Sequence, residues 1–234
     1  MIDRETPILC YVTDRRSLSP TAAGSDSALV EKIEAVAAAG LDWVQIREKD
    51  LPGRELAALT REAVARRSTA RIVVNDRLDV AVSESAGGVH LGEASLPVVD
   101  VAKWVNRSES GVVVSDHGAA SQFPVAASGD FLIGASCHSL DGAKAAVRGG
   151  ADYIFFGPVF ATPSKAKFGE PQGAEKLAMV CSAVPVPVIA IGGITLENAG
   201  ECIAAGAAGI AAIRLFQDAS NPAHVISNLK KLRR

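Results

Sequence analysis

Short, continuous apolar runs alternate along the chain with longer segments whose apolar residues recur every three or four positions. A short apolar run bounded by polar residues or glycine predicts a β-strand, and helical spacing over ten or more residues predicts an amphipathic helix. The predicted strands are 8–12, 43–50, 71–76, 88–92, 131–136, 153–157, 187–191 and 209–213. The predicted helices are 27–39, 52–68, 78–84, 97–106, 140–148, 175–183, 196–205 and a last helix opened by Asn221 and Pro222.

Eight strands that alternate with eight helices predict the α/β class and, within it, a single (β/α)8 TIM barrel. Uniformly apolar strands are typical of parallel sheets that helices cover on the outside. A doubly wound open sheet is the alternative. However, no Gly-x-Gly-x-x-Gly sequence follows the first predicted strand, which counts against a dinucleotide-binding fold.

The second predicted strand has an unusual polar face. Successive side chains of a strand point to opposite faces, and one face therefore carries Trp43, Gln45, Arg47 and Lys49. Two cations that face a barrel interior need an anion to offset the cost of burying their charge. The pattern predicts an anion site at the end of a buried strand. The alternative is an edge strand with a solvated, charged tail.

The length and composition fit one domain of this architecture, residues 1–234. Hydrophobic residues make up 48% of the chain and aromatic residues only 5%, so the core must be built from aliphatic side chains, as in helices packed on parallel strands. Around residues 108–129 the periodicity is lost, and we expect an insertion there within the single domain.

The net charge and the apolar runs exclude several classes of partner. A formal net charge of −2 argues against nonspecific binding to nucleic acid or to anionic membranes, which requires a basic excess. No apolar run is long enough to span a bilayer, and the first residues do not resemble a signal peptide. Four scattered cysteines without a Cys-x-x-Cys pair predict a reducing, cytoplasmic environment. Homo-oligomer formation stays open, because nothing in the sequence localises an interface.

Polar residues lie at or just beyond the carboxyl ends of the predicted strands, where a TIM barrel carries its functional groups. These candidate site residues are Gln45, Arg47, Lys49, Asn75, Asp76, Glu93, Ser95, Ser136, His138, Thr162, Ser164, Lys165, Gly192, Gly193 and Arg214. Because the carboxyl ends of all eight parallel strands meet at one rim, we expect these groups to converge there.

Two loops have the composition of phosphate sites. Gly192 and Gly193 allow backbone N–H groups to approach an anion beside the next helix, although a tight turn alone also requires glycine. The loop with Thr162, Ser164 and Lys165 offers two hydroxyls and a cation; the alternative is a solvated surface loop. Two anion sites at one rim predict a diphosphate substrate and a phosphorylated partner.

Acid and histidine side chains suggest further roles at this rim. Asp76 could hold Mg²⁺ between its carboxylate and phosphate oxygens, or it could serve only as a helix N-cap. His138 could transfer protons near neutral pH or act only as a hydrogen-bonded rim residue. His90, on the fourth predicted strand, is expected to pack or hydrogen-bond within the structure.

Taken together, five short segments resemble the superfamily of thiamine phosphate synthases and thiazole tautomerases. They are 45–49 (Gln-Ile-Arg-Glu-Lys), 75–77 (Asn-Asp-Arg), 88–92 (Gly-Val-His-Leu-Gly), 157–160 with 162–165 (Gly-Pro-Val-Phe and Thr-Pro-Ser-Lys), and 190–194 (Ala-Ile-Gly-Gly-Ile). The resemblance covers nearly the whole chain. It implies a (β/α)8 barrel that couples 4-amino-2-methyl-5-pyrimidinylmethyl diphosphate to a thiazole phosphate, with Mg²⁺ as cofactor and without a nucleophilic side chain.

The resemblance also implies roles for particular residues. Contacts with the pyrimidine diphosphate are implied for Gln45, Arg47, Lys49, Asn75 and Lys165. Asp76 would hold Mg²⁺, and Ser136 would lie beside the pyrimidine. Contacts with the thiazole phosphate are implied for Thr162, Ser164 and Gly193.

Two positions depart from the pattern of the synthases. A second Mg²⁺-binding aspartate is replaced by Ser95, with Glu93 close enough in sequence to substitute. A serine at the thiazole phosphate is replaced by Arg214, which can bind phosphate through two parallel hydrogen bonds. The tautomerase branch is the alternative, with His138 at the place of the proton-transferring histidine; a further alternative is a non-catalytic protein that binds thiamine phosphate.

Overall fold

The computed structural model describes residues 5–18, 26–109, 131–162 and 170–233. Its strands are β1 (Ile8–Val12), β2 (Trp43–Ile46), β3 (Arg71–Asn75), β4 (Gly88–Leu91), β5 (Leu132–Cys137), β6 (Tyr153–Phe156), β7 (Val188–Ile191) and β8 (Gly209–Ala212). Its α-helices are α1 (Asp26–Ala38), α2 (Gly53–Arg66), α3 (Leu78–Ser83), α4 (Val98–Glu109), α5 (Leu140–Arg148), α6 (Gly173–Ala183), α7 (Ala199–Ala204), α8 (Arg214–Gln217) and α9 (Pro222–Lys230).

The eight strands form a closed barrel in chain order, in which every strand is parallel to its two neighbours. Strand β1 closes the barrel against β8, with Ile8 opposite Gly209. This confirms the predicted (β/α)8 barrel and brings the carboxyl ends of all eight strands to one rim. The structure describes no helix long and apolar enough to cross a membrane.

Alternating side chains divide the apolar residues into two cores. Within β1, Ile8 and Cys10 belong to a small core inside the barrel, whereas Leu9 and Tyr11 belong to the large core between strands and helices. The same period of two applies to each strand of a barrel. Inward-facing side chains near the carboxyl ends therefore reach the rim, where the predicted site lies.

Several boundaries differ from the predictions. Strand β2 ends at Ile46 rather than at residue 50, because the Arg47 N–H donates to the Thr13 side chain (2.9 Å). Helix α7 begins at Ala199 rather than at residue 196, after a turn in which the Asn198 side chain accepts from the N–H of Thr195 (2.8 Å). The four-residue helix α8 was not predicted.

The predicted insertion around 108–129 falls mostly outside the described residues and stays a prediction. Helix α4 continues to Glu109, three residues beyond the predicted end of that helix.

At the amino-terminal end of the barrel, the last helix contacts the first strand. The Lys230 ammonium donates to the carbonyl oxygen of Pro7 (3.2 Å) and to the Asp42 carboxylate. Asp42 also accepts from the backbone N–H of Leu9 (2.8 Å). These contacts join α9, β1 and the residue before β2 at the face of the barrel opposite the predicted site.

Candidate active site

A chain of hydrogen bonds crosses the rim from β2 to β3. The buried Gln45 lies on the inner face of β2, as the alternation predicts, and its amide donates to Asn75 Oδ1 (2.9 Å). The Asn75 amide in turn donates to Asp76 Oδ2 (2.6 Å). The Gln45 amide oxygen remains available as an acceptor at the mouth of the barrel.

Asp76 is held at the centre of this rim by several donors. Its backbone has a positive φ of 62°, and its Oδ1 accepts from the Gly92 N–H (3.1 Å) and from the Ser95 hydroxyl. The Lys49 ammonium lies 3.6 Å from Oδ2. Burial opposes ionisation, but the Ser95 hydroxyl, the Gly92 N–H, Lys49 and Asn75 together lower the pKa of Asp76. Asp76 is therefore ionised at neutral pH.

The other two residues predicted to bind the metal, Ser95 and Glu93, differ in their contact with Asp76. Ser95 stands at the position where the synthases have their second Mg²⁺-binding aspartate. Its hydroxyl donates a hydrogen bond to the carboxylate of Asp76. Glu93 has an exposed side chain and no hydrogen bond or ion pair to any described residue. Within the described ranges, no group of three or more His, Cys, Asp or Glu side chains is arranged to hold a metal ion.

The loop after β2 is anchored by a buried carboxylate. Glu48 is only 5% exposed and accepts from the Thr13 hydroxyl (2.5 Å) and from the Arg15 N–H (3.1 and 3.2 Å). Burial raises the pKa of Glu48 against the lowering effect of these donors. Glu48 is turned into the protein, whereas its neighbour Arg47 is partly exposed and its neighbour Lys49 is exposed.

Thr13 and Glu48 were not predicted as members of the site. Thr13 accepts from the N–H of Arg47 while it donates to Glu48, so one side chain from the end of β1 organises the cationic loop after β2. The sequence contained only weak indications of these roles. Glu48 is a single acid between two cations, and Thr13 directly follows an apolar strand.

Ser136 on β5 and His138 just after it have different hydrogen-bond partners. The Ser136 hydroxyl lies 2.9 Å from Nε2 of His90, and His90 Nδ1 lies 3.2 Å from the Tyr153 hydroxyl. Burial lowers the pKa of His90 to about 3, so this imidazole is neutral. The structure confirms the expectation that His90 hydrogen-bonds within the fold.

His138, just beyond the strand, directs Nδ1 at the Gly157 carbonyl oxygen, which leaves Nε2 available for a ligand.

The loops after β6 and β7 lie in direct contact. Gly192 and Gly193 have positive φ values of 100° and 66°. A Cβ atom on Gly193 would lie 2.4 Å from the carbonyl oxygen of Ala161, so glycine is required both for the backbone conformation and for the close approach. This brings Gly193 beside the segment that leads into Thr162, as expected for two parts of one phosphate site.

The remaining phosphate candidates are described only in part. Arg214 is the first residue of α8, at the carboxyl end of β8, and its side chain is exposed. Thr162 is partly buried. Ser164 and Lys165 lie outside the described residues, so their roles stay predictions.

Cys137 is unsuited to nucleophilic chemistry at neutral pH. The side chain is buried in the core between strands and helices, and burial raises the pKa of its thiol to about 11. A reactive cysteine requires a lowered pKa. The candidate site therefore offers cations, amides and a carboxylate for its chemistry, and no reactive thiol at Cys137.

Comparison with known proteins gives a consistent result. Residues 9–121 and 113–216 match the family described as thiamine monophosphate synthase. The chain is 43% identical over 207 residues to a putative thiamine-phosphate synthase of Geobacter sulfurreducens, covering 88% of this chain and 84% of that protein. It is 35% identical to a thiamine-phosphate synthase of Chlorobium luteolum, covering 96% and 92%.

A solved structure agrees with the sequence comparisons. Thiamine phosphate pyrophosphorylase from Pyrococcus furiosus superposes with a TM-score of 0.74 and 31% identity, covering 97% of this chain and 96% of that one. The range matched by the family, 9–216, contains all of the candidate residues discussed above.

Proposed function

The chain belongs to the thiamine monophosphate synthase family, and on that premise we propose that it joins an aminopyrimidine to a thiazole phosphate. The substrates are 4-amino-2-methyl-5-pyrimidinylmethyl diphosphate and the phosphorylated thiazole, and the products are thiamine phosphate and pyrophosphate. The observation that carries the proposal is the ionised Asp76 beside Lys49, hydrogen-bonded through Asn75 to Gln45 at the mouth of the barrel.

The reaction requires the protein to stabilise a leaving group. The bond between the methylene carbon and the diphosphate oxygen breaks, and its electron pair remains on the diphosphate. The ring amino group stabilises the resulting cation, and the lone pair of the thiazole nitrogen then forms the new C–N bond. Cations directed at the oxygens where negative charge develops lower the barrier for this departure, a role that suits Arg47, Lys49 and the predicted Lys165.

The residues present fit a magnesium ion with a limited set of protein ligands. Asp76 supplies an ionised carboxylate, and Ser95 supplies a neutral hydroxyl where a second carboxylate would add charge. Mg²⁺ is usually bound by one or two carboxylates together with substrate phosphates and water, so Asp76 would hold it with the diphosphate. When bound, the ion neutralises charge on the diphosphate oxygens.

The thiazole phosphate would bind across the loops after β6, β7 and β8. Backbone N–H groups at a glycine turn can approach an anion closely, and the N–H of Gly193 has no hydrogen-bond partner among the described residues. The exposed Arg214 at the neighbouring strand end adds a cation that can bind phosphate through two hydrogen bonds. This region of a TIM barrel is its usual phosphate site.

Isomerisation of the thiazole carboxylate phosphate is the second candidate function. The observation that favours it is His138, whose Nδ1 is directed at the Gly157 carbonyl, so that Nε2 can accept or donate a proton at the rim. Coupling is preferred, because the relatives reported above carry the synthase name and an isomerisation has less need of the retained Asp76 and Lys49.

The deciding measurement is pyrophosphate release from the pyrimidine diphosphate in the presence of Mg²⁺ and the aromatic thiazole carboxylate phosphate. We expect steady release together with thiamine phosphate and with carbon dioxide from the carboxylate of the thiazole, since the aromatic isomer bypasses any need for a tautomerase. Absence of release, accompanied by Mg²⁺-independent interconversion of the two thiazole isomers, would contradict the proposal and identify His138 as the residue to replace next.

A further inference from the structure

Three inward-facing positions on consecutive strands lie in one row inside the barrel. His90 on β4 is opposite Gly134 on β5, and Gly134 is opposite Tyr153 on β6. Across Gly134, the Tyr153 hydroxyl lies 3.2 Å from His90 Nδ1. The His90 ring also packs against Phe155, with ring centroids 4.2 Å apart, which restricts its orientation.

Glycine at position 134 makes this contact possible. A Cβ atom there would lie 2.1 Å from Tyr153 Cζ and 2.6 Å from His90 Nδ1. Both distances are far below van der Waals contact, so any side chain at this position would separate the two rings. Because Gly134 has no side chain, the Tyr153 hydroxyl can reach Nδ1 of His90.

The row is connected to the rim through Ser136. Ser136 follows Gly134 by two residues and so faces the same interior, one step closer to the carboxyl end of β5. Its hydroxyl lies 2.9 Å from His90 Nε2. His90 and Tyr153 are 1% and 2% exposed, whereas Ser136 is partly exposed. The hydrogen bonds thus run from the closed core to the surface that a substrate meets.

The partners of each group determine where the protons lie. Among the described residues, the Tyr153 hydroxyl has His90 Nδ1 as its one polar partner. If the hydroxyl accepted from Nδ1, its own hydrogen would be buried without an acceptor, which is unfavourable. Tyr153 therefore donates to Nδ1, and the neutral imidazole carries its hydrogen on Nε2 and donates it to Ser136 Oγ. The hydroxyl hydrogen of Ser136 is left for another acceptor.

We propose that Tyr153 and His90 are positioning residues, which fix Ser136 as a hydrogen-bond donor toward the pyrimidine ring of the diphosphate substrate. The proposal rests on the proposed function, in which Ser136 lies beside that ring. Ring nitrogens of an aminopyrimidine accept hydrogen bonds, so a serine that accepts from His90 and donates outward matches them. A serine that donated to His90 would present only an acceptor.

The first test is kinetic and uses the full chain with Mg²⁺ and both substrates. Tyr153→Phe should raise the Michaelis constant for the pyrimidine diphosphate by about threefold to tenfold, the factor expected for one neutral hydrogen bond. The Michaelis constant for the thiazole phosphate should stay unchanged. Tyr11→Phe is the matched control, because Tyr11 is equally buried but donates to Gln217 (2.7 Å) on the outer side of the barrel; it should alter neither constant.

Two replacements of His90 test which ring nitrogen matters. A glutamine amide reaches the place of Nε2 and can still donate to Ser136, whereas an asparagine amide reaches only the place of Nδ1. His90→Gln should therefore retain a lower Michaelis constant for the pyrimidine diphosphate than His90→Asn. Equal values for the two variants would contradict a role exerted through Ser136.

A spectroscopic measurement tests the proton assignment without turnover. The nitrogen-15 spectrum of histidine side chains in the ligand-free protein should show His90 with its hydrogen on Nε2. A hydrogen on Nδ1 would overturn the proposal, as would normal wild-type turnover with a Tyr153→Phe effect shared equally by both substrates. If the wild type released no pyrophosphate, the proposed function would fail first, and this proposal with it.

Discussion

A buried neutral histidine should make the protein less stable as the pH falls below 7. His90 is fully buried between Tyr153 and Phe155, and burial lowers its pKa to about 3, against the attraction of Asp76 and with a smaller contribution from Arg47. In the unfolded chain, a histidine has a pKa of about 6.5. Between these two values the unfolded state binds one more proton than the folded state, so acidification favours unfolding.

The expected magnitude follows from the two pKa values. Each pH unit between them costs at most about 1.4 kcal/mol. Integrated from pH 7 to pH 5, the contribution of His90 is about 2 kcal/mol, a substantial part of a typical folding free energy of about 5–15 kcal/mol. This loss of stability begins as the pH falls through about 6.5, the pKa in the unfolded chain, and continues until the pH approaches about 3, the pKa in the folded protein.

The assay is urea-induced unfolding at pH 7, 6 and 5 in Mg²⁺-free buffer, followed by circular dichroism. The wild type is compared with His90→Gln, which cannot titrate, and with His224→Gln, which removes an exposed histidine from α9. We expect the free energy of unfolding to fall by about 2 kcal/mol more in the wild type than in His90→Gln, and the His224→Gln variant to follow the wild type. Parallel loss in the wild type and His90→Gln would refute the reasoning.

Three further predictions concern the rim. Asp76→Asn should weaken the apparent affinity for Mg²⁺ in pyrophosphate release by at least about tenfold, since Asp76 is the one carboxylate that we propose as a ligand of the ion, whereas Asp79→Asn, which changes an exposed acid nearby, should leave the Mg²⁺ titration unchanged. Glu48→Gln should lower the free energy of unfolding by about 2–3 kcal/mol, because one oxygen that accepts buried hydrogen bonds becomes a donor; urea unfolding of the exposed Glu55→Gln is the control. Arg214→Ser should raise the Michaelis constant for the thiazole phosphate alone, and an equal rise for both substrates would show that Arg214 does not bind that phosphate.

The order and type of the elements could be predicted because they depend on local periodicity. Gln45 faces inward and its apolar neighbours outward, as a period of two requires. The convergence of Asn75, Asp76 and Lys49 followed from their positions at strand ends, since a barrel brings those ends to one rim.

What escaped prediction depends on contacts between residues that are distant in sequence. Strand β2 ends at Ile46 because the N–H of the next residue, Arg47, donates to the side chain of Thr13, which lies more than thirty residues earlier. The buried role of Glu48 arises from the same contact. His90 was assigned to the structure alone, because the sequence does not show that Gly134 leaves room for its hydrogen bond with Tyr153.

The contact between Lys230 and Pro7 has a practical consequence for handling the protein. It brings the last helix and the residue before the first strand together on the face of the barrel away from the rim. Attachment to a solid support through the exposed Lys231, next to this contact, would leave the mouth of the barrel facing the solution.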